Sequence, residues 1–146
     1  MRKIFLFLLF VTFYSCDMST TACITNNNNE SAMLKIFYNK NSEQIQNYVN
    51  HHKGFKNFTK YILKYDNSDL KGKTVKFDSI KYSVLLKLRQ NDTLQIWGGL
   101  HQSNRFDEIE KIQIITNNRD TTQVFGNTFR EVFDEKVNGF YLYTVK

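Results

Sequence analysis

Apolar and polar positions alternate most regularly in the second half of the chain. Tyr82 to Leu88 and Lys111 to Thr116 carry the period of two expected of half-buried strands. Each run leads into a polar turn, Arg89-Gln90-Asn91 and Asn117-Asn118-Arg119, and then into a phrase used twice. Asp92-Thr93-Leu94-Gln95-Ile96-Trp97-Gly98 recurs as Asp120-Thr121-Thr122-Gln123-Val124-Phe125-Gly126, with Asp, Thr, Gln and Gly in the same places. The pattern predicts two tandem β-hairpins, roughly 81–88 with 93–100 and 110–117 with 121–126. Each closes on an aromatic residue and a glycine. Two copies are too few for a solenoid or propeller, so a meander in one sheet is expected. Thr74 to Ile80 alternates through Val75 and Phe77 and predicts a preceding strand. Phe140 to Val145, rich in strand formers, predicts a closing one.

The first half carries helical spacing. Met33 to Tyr38 is a short apolar patch that suits a first strand or a helix start. Ser42 offers an N-cap with Glu43 in the first turn, and Ile45, Tyr48, Val49 and His52 then share one helix face. Gly54 marks the end of that helix. Phe55, Phe58, Tyr61, Ile62 and Tyr65 extend the stripe as helix, although Tyr61 to Tyr65 also suits a strand. Asn127 can cap a short helix bearing Phe129, Val132 and Phe133. The sum is an α+β domain over residues 33–146: an N-terminal helical region packed on a mostly antiparallel sheet of five or six strands.

Ahead of this domain, Met1-Arg2-Lys3 is a short basic start, and Ile4 to Tyr14 is apolar or aromatic apart from Thr12. That run falls short of the roughly 20 residues a spanning helix needs, and fits the core of a signal peptide over residues 1–15. It stops at Phe13-Tyr14-Ser15-Cys16, which resembles the lipobox of bacterial lipoproteins. The resemblance covers residues 1–16 alone. It implies cleavage before Cys16, acylation of that cysteine, and a domain held outside the cytoplasm at the cell envelope. Tyr14 is bulkier than the pattern's usual residue. Three other readings stay open: cleavage after Ala22 in Thr20-Thr21-Ala22, a Cys16–Cys23 disulfide, or an uncleaved anchor. Residues 16–32, with four consecutive Asn at 26–29, are expected to be a flexible polar tether in which Cys23 is incidental.

Composition adds little. The net charge of +6 comes from 20 basic and 14 acidic residues; removing Arg2 and Lys3 leaves +4. No basic block of five or more occurs, so nucleic acid is not an expected partner. Proline is absent, so turns fall to Asn, Asp and Gly.

Candidate chemistry is sparse. Trp97, followed by Gly98 and Gly99, could stack a sugar or an aromatic side chain, with backbone approach eased by the glycines. His101 follows, with Asp107, Glu108 and Glu110 a few residues on, and a His with carboxylates could do acid–base or metal work. Sequence spacing does not bring them together, so no catalytic residue, metal or cofactor is assigned. His51 and His52 point about 100° apart on a helix and cannot chelate one ion. Asp66, Asp69 and Gly72 break the spacing of a calcium loop. Asp78-Ser79-Ile80, Asp92-Thr93-Leu94 and Asp120-Thr121-Thr122 resemble the O-glycosylation sequon of exported proteins in one bacterial group, making Ser79, Thr93 and Thr121 candidate acceptors.

The expected function is a lipid-anchored envelope lipoprotein with a non-enzymatic module for a protein or glycan. An immunity or inhibitor protein against an envelope-acting toxin or hydrolase is the alternative. A hydrolase built round His101 comes third.

Overall fold

The computed structural model describes residues 19–65, 74–100, 106–116, 121–137 and 140–145. Cys16, His101, the Asp66–Gly72 loop and the turn at 117–119 lie outside them. The described residues form two five-stranded sheets that share one core. The first runs β3 (Lys64–Tyr65), β6 (Thr93–Leu100), β1 (Ser19–Asn26), β10 (Phe140–Val145), β9 (Asp134–Val137). The second runs β4 (Thr74–Asp78), β5 (Ser83–Leu88), β2 (Ala32–Tyr38), β7 (Ile109–Ile115), β8 (Thr121–Phe125). The β1–β10 pair is parallel and the other pairs are antiparallel. The α+β class read from the pattern holds, and Met33 to Tyr38 resolves as a strand. Its Ala32, Leu34, Ile36 and Tyr38 point into the core, while Met33, Lys35 and Phe37 point out.

Three differences from the sequence reading share one cause. The expected tether is a strand: Ala22 and Ile24 are fully buried and Cys23 is 7% exposed, with β6 on one side and β10 on the other. The domain therefore begins by Ser19, not at residue 33. The expected single sheet is two. The first copy of the repeated phrase also splits, because β5 and β6 lie in different sheets. Hairpins do form, between β7 and β8 as the second copy predicts and between β4 and β5. The common cause is a corner. β1 pairs antiparallel with β6, and β2 pairs antiparallel with β5, so one two-stranded ribbon folds over between residues 26–32 and 88–93 and serves both sheets.

Asn26 holds that corner. It is fully buried, and its amide donates to the Glu30 carbonyl at 2.7 Å and the Leu88 carbonyl at 3.1 Å while accepting from the Asn28 N–H at 3.1 Å. Its N–H donates to the Asp92 carbonyl, and its own carbonyl accepts from Asn91 N–H at 2.8 Å. Asn91 has a positive φ of 60°, a conformation asparagine tolerates better than most residues. Satisfying every polar group of one short side chain lets two strands leave one sheet and enter the other without orphaned backbone.

The helices fill one flank. The helix α1 (Glu43–His51) is capped by Ser42, whose hydroxyl accepts from Ile45 N–H and donates to Glu108. Ile45 and Val49 face the core as their spacing predicts. Gly54, at φ 123°, reverses the chain, its N–H donating to the Val49 carbonyl, and starts α2 (Phe55–Ile62). The alternative readings of 55–65 are both realised: helix to Ile62, then the short β3. Phe55 and Phe58 pack edge-on against Tyr38, joining the helices to the second sheet. A 3₁₀ turn (Gly126–Thr128) leads into α3 (Phe129–Val132); the expected cap Asn127 lies inside that turn, and Thr128 takes the cap position without a side-chain capping bond.

Candidate binding cleft

A run of aromatic side chains joins the two sheets at their open side. Phe106, in the 3₁₀ turn before β7, packs against Phe129 of α3 and Tyr141 of β10 at 5.1 and 5.3 Å between ring centres. Phe129 continues to Phe133 at 5.0 Å, and Phe133 to Tyr143 at 5.5 Å. The Phe106 contacts are edge-on, a favoured aromatic geometry, and tilted contacts carry the run on to Tyr143. They fix Tyr143 as one wall of a cleft of about 350 Å³ between β7–β8 and β9–β10.

The cleft is lined by hydroxyls. Thr122, on the same face as buried Ile114, and Tyr143, on the same face as buried Val145, bring hydroxyls to it; Thr116, Val132, Asp134, Leu142 and Thr144 complete the lining, with Leu142 and Thr144 on the other face of β10. No lysine, arginine or histidine lines it among the described residues. Burial raises the Tyr143 hydroxyl above its ordinary range, so at neutral pH it stays protonated and can both donate and accept. Hydroxyls that donate and accept beside an apolar wall suit an uncharged polar ligand such as a sugar or a peptide backbone. The volume admits a ligand of roughly one or two sugar rings at the lower end of the usual pocket range.

The residues singled out in the sequence fall elsewhere. Trp97 is 5% exposed and belongs to the core, so it cannot serve as an open stacking platform. The reason is a bulge: partners shift between Ala22 and Cys23, which face Trp97 and Gln95, so Ile96 and Trp97 are both buried. Gly98 and Gly99 lie in β6 opposite Thr21 and Thr20. Of the proposed acceptors, Ser79 is exposed in the β4–β5 turn and Thr121 is exposed at the start of β8. Thr93 is half-buried and donates to the Thr25 hydroxyl at 3.1 Å. The Asp78 carboxylate beside Ser79 accepts from Lys81 and Ile80 N–H, bonds that hold it below the usual carboxylate range. Glu108 is buried against Ser42. His52 stacks on Tyr61 at 4.5 Å, and His51 and His52 meet edge-on. Among the described residues no group of three His, Cys, Asp or Glu is placed to hold a metal ion.

Sequence reasoning missed the cleft because its wall comes from five separate elements. The Tyr141–Tyr143 alternation in the closing strand was the available signal. No family model matches the chain, and no curated protein or solved structure matches it.

Proposed function

We propose that this chain is a non-enzymatic binding module of the bacterial envelope, anchored through lipid on Cys16, that takes an uncharged polar ligand of glycan type in the cleft between its sheets. The observation carrying the ligand class is a cleft with the Thr122 and Tyr143 hydroxyls on its inner faces and no basic residue in its described lining. The anchor rests on the lipobox-like Phe13-Tyr14-Ser15-Cys16 and gains support from β1. Cleavage before Cys16 leaves that strand whole, whereas cleavage after Ala22 removes residues 19–22 from a strand paired on both sides.

Calorimetry against neutral oligosaccharides, with acidic ones as controls, tests the ligand class. Tyr143→Phe and Thr122→Val each remove one hydroxyl and should weaken binding by about tenfold, the equivalent of one hydrogen bond. Binding that is indifferent to both substitutions would place the ligand elsewhere and end the cleft assignment.

A further inference from the structure

One end of the second sheet carries a different chemistry from the cleft. Phe125 lies opposite Lys111, and Lys111 lies opposite Phe37, in a row across β8, β7 and β2. The Lys35 and Lys111 ammonium groups both sit over the Phe37 ring, 4.8 and 4.9 Å from its centre. Drawing two like charges onto one ring makes a compact cationic spot on an apolar base. Phe125 is 49% exposed beside it. Phe37 also pairs with Ser83, the first residue after the β4–β5 turn, and Ile80 in that turn is 81% exposed beside exposed Lys81. Two acids share the surroundings: Asp78, engaged in its turn, and exposed Glu110.

The polypeptide also enters the fold at this end. Asn39, just after β2, donates to the Glu108 carbonyl. Nearby Phe106 packs on Tyr141, which pairs with Ala22 near the start of β1. If Cys16 carries lipid, only residues 17 and 18 separate it from Ser19, a link of at most about 10 Å. The cleft residues Thr116, Thr122, Thr144 and Val145 lie toward the opposite end, where β1 and β2 meet at the Asn26 corner.

We infer that the anchored domain stands on an anionic bilayer, with Ile80 and Phe125 at the interface and Lys35, Lys81 and Lys111 toward the headgroups. Exposed apolar tips beside lysines are what an interfacial contact requires, and one short link holds them at the surface. This orientation points the cleft away from the membrane. The inference rests on the Cys16 anchor proposed above.

The test uses the full chain isolated from its native membrane and placed in vesicles of phosphatidylcholine, or of equal parts phosphatidylcholine and phosphatidylglycerol. Intact mass is read on the same sample. Amide hydrogen exchange at residues 79–82 and 123–125 should slow by about tenfold in the anionic vesicles, where lysines gain headgroup contacts. Residues 142–145 should not change. High salt, or Lys35→Glu with Lys111→Glu, should remove the slowing while circular dichroism stays native. A lipidated mass with equal exchange in both vesicles overturns the orientation and leaves the anchor standing. So does slowing caused equally by a soluble acidic polysaccharide. A mass without lipid overturns both.

Discussion

The two glycines of the repeated phrase do different work. A Cβ on Gly126 would sit 2.1 Å from the Ile109 carbonyl oxygen and 2.8 Å from that of Phe106. Both obstacles are backbone, so neither can swing aside. A Cβ on Gly98 would meet only the end of the Gln95 side chain, at 2.6 Å. Gly126→Ala should therefore cost about 2–3 kcal/mol by overpacking, and Gly98→Ala less than about 1 kcal/mol, read as shifts in denaturation midpoint. Equal effects would contradict the packing described. Tyr38 makes a second residue-scale case: it is fully buried, and its hydroxyl has no hydrogen-bond partner among the described residues. Removing an unsatisfied buried polar atom should stabilise, so Tyr38→Phe should gain about 1 kcal/mol at neutral pH. Burial also raises the Tyr38 pKa far above the model-peptide value of 10.0. The folded state then keeps a proton that the unfolded state loses above pH 10. Stability is thus full below that pH and falls as it rises, by about 1.4 kcal/mol per pH unit from this one group. Tyr38→Phe should flatten that part of the alkaline denaturation curve.

At the scale of elements, local patterns were legible and pairings were not. Ser42, Ile45 and Val49 announce α1, and the structure gives that helix its cap and buried face. Ser42→Ala should cost about 1 kcal/mol through the cap alone, measurable by thermal melting. Alternation likewise announces β5, β6, β7 and β8. It cannot say that the chain changes sheet at Arg89-Gln90-Asn91, because a hairpin turn and a sandwich corner use the same polar residues. The difference lies in Asn26, far away in the sequence, whose amide reaches the Leu88 carbonyl. Asn26 sits in an asparagine run that reads as tether, and only long-range pairing makes it structural. The same nonlocality hid the cleft and inverted the aromatic positions of the repeat: Trp97 is buried by a bulge that β8 lacks, and Phe125 is exposed. Asn26→Leu should leave several corner groups unpaired and cost about 3 kcal/mol. A loss below about 1 kcal/mol would mean the corner is held by something else.

For the whole molecule, β1 is where the proposed anchor would meet the fold. It lies between β6 and β10 and buries Ala22 and Ile24, so the protein's first described strand is part of its core. Chain removed up to residue 18 leaves the sheets complete. Removal up to residue 22 takes half of β1 and should abolish cooperative unfolding. On the proposed anchor the domain would follow Cys16 almost at once, and one end of the sandwich would face the bilayer while the hydroxyl-lined cleft would face outward. The measurement that bears most directly on this account is the intact mass of the mature chain from its native membrane, beside a Cys16→Ser variant. The account predicts a chain beginning at Cys16 with a lipid-sized mass gain that the variant lacks. An unmodified chain, or one beginning at Cys23, would contradict it.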